Sequence, residues 1–141
     1  MALTLHDIKV WNTGEVIDLI VPADTDETVD ASAMTIAPGF EDPHVHFRDP
    51  GQTYKESMVS GCTAAASGGY TNVLIMPNTV PAMDGVKVKA GQQGASEVLD
   101  AGYDTVIDYL QHYEAAHDVK LPVRYDLCVC ASKGRAGKEA T

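Results

Sequence analysis

Two histidines and an arginine alternate along one short stretch of the sequence, as His44, His46 and Arg48. Successive side chains of a β-strand point to opposite faces, so an extended chain places all three on one side. Two imidazoles that project together from a strand can bind a metal ion such as zinc through their ring nitrogens. Arg48 then presents a planar set of donors beside the metal, a geometry that suits a substrate carboxylate. The spacing predicts a metal centre that binds an anionic ligand.

A histidine pair with this spacing also occurs by chance as half-buried residues of an ordinary strand. The neighbouring residues favour the metal interpretation. Asp42 lies two residues before His44 on the same predicted face and is placed to orient an imidazole by a hydrogen bond, although an aspartate can equally cap the strand end. Asp49, Pro50 and Gly51 end the strand, because proline lacks a ladder donor and glycine permits a turn.

The residues before this motif predict a small β domain. Apolar and polar residues alternate at 3–11 and 16–21, which predicts two strands. Extended chain is also predicted at 29–36. A turn signal at residues 12–14, Asn-Thr-Gly, predicts that the first two strands form a hairpin. Because these strands belong to no repeat of helix and strand, we expect residues 1–36 to form a separate β layer.

After the motif, helices and strands alternate. Thr53 and Glu56 have the spacing of a capping box, which predicts a helix that begins there and ends at Gly68-Gly69. A continuous apolar strand follows at 71–76, a pattern typical of a parallel sheet covered on both faces. The later elements are a weak helix, a stronger helix and a strand, at 87–101, 104–117 and 121–130. This order predicts an α/β fold with a parallel sheet and right-handed crossovers.

Composition narrows the classes of protein that fit. The 141 residues are 45% hydrophobic and 21% charged, as in an ordinary globular domain. The net charge of -10 argues against nucleic acid or an anionic membrane as a partner. The sequence contains neither a run of about 18 apolar residues nor the pattern of a signal peptide. Three cysteines fit a reducing compartment, so we expect a cytoplasmic protein.

Two motifs carry a resemblance to a known family. Residues 42–51, DPHVHFRDPG, resemble the first metal motif of the dihydroorotases, which are cyclic amidohydrolases of the amidohydrolase superfamily. Residues 76–81, MPNTVP, resemble the second substrate-binding segment of the same family. The likeness extends from Ala31 to Asp84 and more weakly to Lys138. Allantoinases and dihydropyrimidinases share the H-x-H pair but typically lack the arginine and the MPNT run.

The resemblance implies roles for individual residues. His44 and His46 correspond to ligands of zinc, and two zinc ions are expected in the complete enzyme. Arg48 and Asn78 correspond to the residues that hold the carboxylate of dihydroorotate. The implied reaction is the reversible, zinc-dependent interconversion of dihydroorotate and N-carbamoyl-L-aspartate in pyrimidine biosynthesis. The family's bridging carboxylate, further histidine ligands and catalytic aspartate lie on later strands, so no catalytic residue is expected in this chain.

The resemblance also implies a TIM-like (β/α)8 barrel with a small β-sandwich domain. Such a barrel takes eight strands and about 250 residues. This chain supplies three βα units, in 37–141, preceded by strands of the β-sandwich in 1–36. We therefore expect the N-terminal portion of a longer enzyme, inactive alone and forming a homo-oligomer when complete.

Other interpretations of the sequence remain open. The first is another cyclic amidohydrolase, of the allantoinase or hydantoinase type. The second is a non-catalytic, dihydroorotase-like partner of aspartate transcarbamoylase. The third is an independent small α/β module, which predicts cooperative unfolding of residues 1–141 alone.

Overall fold

The computed structural model describes all 141 residues, which divide into two compact units, Met1–Pro38 and Gly39–Thr141. The first unit is a four-stranded β-sheet. Its strands are β1 (Ala2–Val10), β2 (Val16–Pro22), β3 (Glu27–Asp30) and β4 (Thr35–Ile36). β1 pairs antiparallel with β2 and parallel with both β3 and β4. The predicted hairpin is confirmed.

The single extended stretch predicted at 29–36 is two short strands. The Met34 amide donates to the Ala31 carbonyl at 2.8 Å, which turns the chain between β3 and β4. Both strands still pair with β1, at different points along its length.

The second unit is built on a parallel sheet of three strands in sequence order. These are β5 (Phe40–Val45), β6 (Tyr70–Ile75) and β7 (Arg124–Leu127). The predicted parallel α/β arrangement is confirmed. β7 is shorter than the predicted strand at 121–130. Its pairing with β6 ends because the Cys130 amide donates instead to the Met83 carbonyl, at 2.8 Å.

Four α-helices accompany the sheet: α1 (Met58–Ser67), α2 (Ala95–Asp100), α3 (Val106–Gln111) and α4 (Tyr113–His117). The prediction that Thr53 caps the first helix is wrong. Ser57 is the N-cap, and its hydroxyl accepts from the Ser60 amide at 3.1 Å, while the Ser60 hydroxyl accepts from the Ser57 amide at 3.0 Å. The Glu56 carbonyl is already occupied, because it accepts from the Arg48 amide at 3.0 Å.

The two later helical predictions are also too long. The predicted helix at 104–117 is interrupted at His112, which has non-helical angles of φ -115° and ψ 19°. Within 87–101 only α2 is helical. Gly94 precedes α2 with φ +75°, and a side chain there would lie 2.0 Å from the Val80 carbonyl oxygen. Only glycine fits this left-handed, crowded position, so the helix begins after it.

The core of the second unit combines side chains from the sheet and from all four helices. It includes Val73 and Ile75 of β6, Met58 and Cys62 of α1, Val98 of α2, Leu110 of α3 and Tyr113 of α4. α1 approaches especially closely at Gly61, where an added methyl group would lie 2.4 Å from the Phe47 ring. None of the helices is long and apolar enough to cross a membrane.

Candidate metal centre

His44 and His46 lie together at the carboxyl end of β5. His44 is the fifth residue of the six-residue strand, and His46 follows its last residue. Their Nε2 atoms are 3.1 Å apart, and their ring centroids are 4.9 Å apart with the planes inclined at 66°. Both rings are exposed, whereas Phe47, the next residue, is 6% exposed and packs in the core. The alternation of an extended chain therefore brings the two imidazoles to one side.

Asp42 supports this end of β5 through the backbone. The pairing with β6 shifts register between Asp42 and Val45, and Pro43 within the shift has no N–H to donate. The Asp42 carboxylate accepts from the His44 amide at 3.0 Å. It forms no hydrogen bond to an imidazole, which was the expected contact. Asp42 instead orients the backbone that carries His44.

Asn78 reaches His46 from the end of the neighbouring strand. β6 ends at Ile75, and the Met76 amide continues the ladder by donating to the Val45 carbonyl at 2.8 Å. Two residues later, the Asn78 amide oxygen lies 2.8 Å from His46 Nδ1. An amide oxygen only accepts, so Nδ1 carries the proton and Nε2 of a neutral ring keeps its lone pair. That lone pair faces His44.

This donor set fits a zinc ion. Imidazole nitrogens bind zinc at about 2.0–2.1 Å, and two nitrogens 3.1 Å apart can both reach one ion at that distance. Metal binding displaces the proton that the two Nε2 atoms otherwise share. The hydrogen bond from Nδ1 to Asn78 is the kind of contact that fixes the tautomer of a ligating histidine. Zinc sites use three or four protein ligands, and His44 and His46 could supply two of them.

Arg48 has a fixed backbone and a free head group. Its amide donates to the Glu56 carbonyl at 3.0 Å, and its carbonyl accepts from the Gln52 amide at 2.9 Å. The residue is half-buried, and its guanidinium takes part in none of the four ion pairs of the chain. Its donors therefore remain available for an external anion.

A second group of possible metal ligands lies in the first unit. Ligand atoms of His6, Asp7 and Asp18 all fall within 4.8 Å of one another, and all three residues are exposed. His6 Nδ1 is 2.7 Å from Asp18, and His6 Nε2 is 3.3 Å from Asp7. Both ring nitrogens face carboxylates; the hydrogen bond to Asp18, and then the charges of Asp18 and Asp7, raise the pKa of His6.

The sequence interpretation missed Asp49, which it treated only as part of the turn that ends the strand. In the structure Asp49 is 3% exposed and accepts hydrogen bonds from the hydroxyls of Tyr109 and Tyr113. Sixty or more residues separate these partners in the sequence. The one local signal was a charged residue inside a turn rich in proline and glycine, which is ordinarily solvent-exposed.

Part of the chain is similar to a known protein family. Residues 35–101 match the model of the amidohydrolase family, whose members generally use metal ions. A dihydroorotase of Sulfurihydrogenibium sp. is 60% identical over 62 residues, covering 44% of this chain and 15% of the relative. For a dihydroorotase of Geobacter metallireducens the identity is 49% over 82 residues, covering 54% and 19%. For one of Lactococcus lactis it is 36% over 118 residues, covering 75% and 28%.

The chain thus spans between 15% and 28% of the length of these three relatives. The matched region contains His44, His46, Arg48 and Asn78. Residues 35–101 thus match the amidohydrolase family, and the relatives that the chain resembles are dihydroorotases.

Proposed function

We propose that this chain carries part of the zinc and substrate site of a dihydroorotase, the enzyme that interconverts dihydroorotate and N-carbamoyl-L-aspartate in pyrimidine biosynthesis. One observation carries the proposal: His46 lies between His44 Nε2 at 3.1 Å and the Asn78 amide oxygen at 2.8 Å. This arrangement joins two metal-ligand atoms to a residue of the second motif. Three relatives that match this chain are named dihydroorotases.

His44 and His46 would hold the zinc ion, with further ligands, including those of a second zinc, supplied by residues outside this chain. When bound, zinc polarises an amide carbonyl and lowers the pKa of its water to about 7. The part played by the chain's own residues is to bind and orient. Asp42 and Asn78 fix the backbone of His44 and the ring of His46 respectively.

Arg48 and Asn78 would bind the substrate carboxylate. The guanidinium offers a bidentate, charged contact. The Asn78 amide oxygen is occupied by His46, so its amide nitrogen, with two N–H donors, is left for the ligand. A single asparagine would then orient both a metal ligand and the substrate, which sets the distance between the anionic end of the substrate and the metal.

The location of the site also fits a (β/α)8 barrel. His44 and Asn78 lie at or beyond the carboxyl ends of adjacent parallel strands, β5 and β6. Active sites of such barrels lie at that face of the sheet. We propose that Gly39–Thr141 forms three βα units of a barrel and that Met1–Pro38 belongs to a β-sandwich domain. The catalytic aspartate of the family is assigned to a later strand, so residues 1–141 alone should not turn over substrate.

The test measures zinc content and dihydroorotate turnover in the native polypeptide, by which we mean the full-length enzyme that we propose contains residues 1–141. We expect bound zinc and turnover in the wild type, and loss of both in His46→Ala. Arg48→Gln should keep its zinc while KM for dihydroorotate rises about 10- to 100-fold, since a hydrogen bond to a charged group contributes roughly 1.5–3 kcal/mol. Arg124→Gln, an exposed arginine at the start of β7, is the matched control and should behave as wild type.

Two results would overturn the proposal. One is wild-type KM in Arg48→Gln. The other is a native polypeptide that hydrolyses allantoin or hydantoins in preference to dihydroorotate, which would assign it to another class of cyclic amidohydrolase.

A further inference from the structure

Asp49 is a buried carboxylate that the site described above does not use. It is 3% exposed, although it directly follows the half-buried Arg48. Its Oδ1 accepts from the Tyr109 hydroxyl at 3.2 Å, and its Oδ2 accepts from the Tyr113 hydroxyl at 3.0 Å. Oδ2 also accepts from the Met58 amide at 3.4 Å, at the first turn of α1. A buried carboxylate is costly unless its oxygens are satisfied, and three donors satisfy these.

The two tyrosines are rigid donors. Tyr109 is 1% exposed and Tyr113 is 5% exposed, with their rings edge to face at 5.6 Å. Burial, reinforced by the nearby Asp49, raises the pKa of both phenols, so both keep the proton that they donate. The Tyr109 oxygen also lies 2.9 Å from His117 Nε2. Since the hydroxyl has a single proton, His117 supplies the N–H of that second bond.

Residues 48–52, which we call the arginine loop, are held on both sides of Asp49. On the Arg48 side, the amide of Arg48 is bonded to Glu56 and its carbonyl to Gln52. On the other side, the Gly51 amide donates to the Glu97 carboxylate. Every polar backbone group of Arg48 is therefore engaged, and the position of its Cα is set by the loop.

Gly51 shows how closely the arginine loop is enclosed. Its φ is +89°, and a side chain there would lie 1.8 Å from the Val80 carbonyl oxygen. The Gly51 carbonyl accepts from the Gln93 side chain at 2.9 Å. The loop thus rests on the segment that follows β6 and on residues at and before α2, while Asp49 ties it to α1, α3 and α4.

We propose that Asp49, held by Tyr109 and Tyr113, is a positioning residue that fixes Arg48 for binding of the substrate carboxylate. The inference rests on the proposed function of Arg48. Pre-organisation of a binding residue saves the ordering cost on binding, so loss of the constraint on Arg48 raises KM for the substrate. Asp49 contributes through the loop and does not contact the ligand.

The experiment compares Asp49→Asn and Tyr113→Phe in the native polypeptide, with Tyr125→Phe as the matched control. Tyr125 is half-buried, and its hydroxyl donates to the carbonyl of Leu110, a residue outside the arginine loop. We expect both test variants to raise KM for dihydroorotate about tenfold or more, with kcat changed less than about threefold and zinc content unchanged. Hydrogen exchange at the amides of Arg48 and Gly51 should accelerate in these variants and not in Tyr125→Phe.

The removal of a single hydroxyl in Tyr113→Phe keeps the test decisive if Asp49→Asn does not fold. A purely structural role predicts lower melting temperatures with unchanged KM and unchanged exchange in the loop, as for Tyr125→Phe, and that result would overturn the inference. Absence of dihydroorotate turnover in the wild type contradicts the proposed function instead, and the exchange measurement then still decides whether Asp49 holds the loop.

Discussion

The amide oxygen of Asn78 accepts a hydrogen bond of 2.8 Å from Nδ1 of His46, linking the ends of two neighbouring parallel strands. In the proposed function, this contact makes the second motif part of the metal centre as well as of the substrate site. It also fixes the tautomer in which His46 Nε2 faces His44. His46 of the first motif and Asn78 of the second are 32 residues apart in the sequence but in direct contact in the structure.

Replacing Asn78 should therefore weaken metal binding. We expect Asn78→Ala to weaken zinc binding about 10- to 100-fold, the range found when the partner of a ligating histidine is removed. The measurement is the zinc dissociation constant of the native polypeptide, by competition with a chromophoric chelator. Asn72→Ala is the matched control, because the Asn72 side chain donates to Asp126 near the other end of β6. Unchanged affinity in Asn78→Ala would show that Asn78 serves only the substrate.

Gly61 lets α1 approach Phe47, the residue between His46 and Arg48. A methyl group there would lie 2.4–2.6 Å from three atoms of the Phe47 ring, so Gly61→Ala must displace the ring. We expect a loss of about 1–3 kcal/mol in the free energy of unfolding, as for other overpacked cores, measured by urea denaturation. The same substitution in a Phe47→Leu background should cost less, because the shorter side chain leaves room. Additive losses would contradict the contact as the cause.

The pH dependence of the first unit should follow His6. Its hydrogen bond to Asp18, and then the charges of Asp18 and Asp7, raise the pKa of His6 above its ordinary value of 6.5. The stabilisation is complete below about pH 6.5 and is lost as the pH rises through the raised pKa. The pKa of Asp18 is lowered, first by the hydrogen bond from the Asp7 amide and then by the one from His6. The His6–Asp18 pair therefore also weakens as the pH falls through the lowered pKa of Asp18.

The measurement is a titration of the His6 imidazole followed by NMR. Asp18→Asn should bring the pKa of His6 down towards 6.5, while Asp24→Asn, an exposed acid of the same unit, should leave it unchanged. An equal pKa in wild type and Asp18→Asn would contradict the pairing.

The parallel sheet has two open edges, since β5 and β7 each pair only with β6. Phe40 of β5 is 64% exposed, and Val129, just after β7, is 43% exposed. Unpaired strand edges with exposed apolar groups favour association. We expect residues 1–141 to self-associate with rising concentration in sedimentation velocity. Val129→Lys should reduce this association more than Val59→Lys, which changes an equally exposed valine on α1. Concentration-independent monomers would argue for a self-sufficient module.

Much of this arrangement was contained in the sequence, because it depends on local periodicity. The alternation of His44, His46 and Arg48 predicted one face of a strand. The structure brings the two imidazoles to 3.1 Å, but the strand ends at Val45, so Arg48 lies outside it. The apolar run at 71–76 predicted a parallel strand covered on both faces. β6 is parallel, but only Val73 and Ile75, which share one face, are fully buried. Helix boundaries were less accurate. Thr53 and Glu56 have capping spacing, but a hydrogen bond from Arg48 takes the Glu56 carbonyl and delays the helix to Ser57.

Only the tertiary structure decided which polar residues are buried and which residues they form hydrogen bonds with. Asp49 looked like a turn residue because its donors, Tyr109 and Tyr113, lie 60 and 64 residues further along the chain. Likewise, the strand periodicity placed Asn78 at a strand end but gave no indication that it meets His46. Periodicity reports how a side chain is oriented relative to its own element, whereas partners across the fold are set by how strands and helices assemble. The sequence thus determined the candidate ligands, and the assembled fold determined which residues hold them in place.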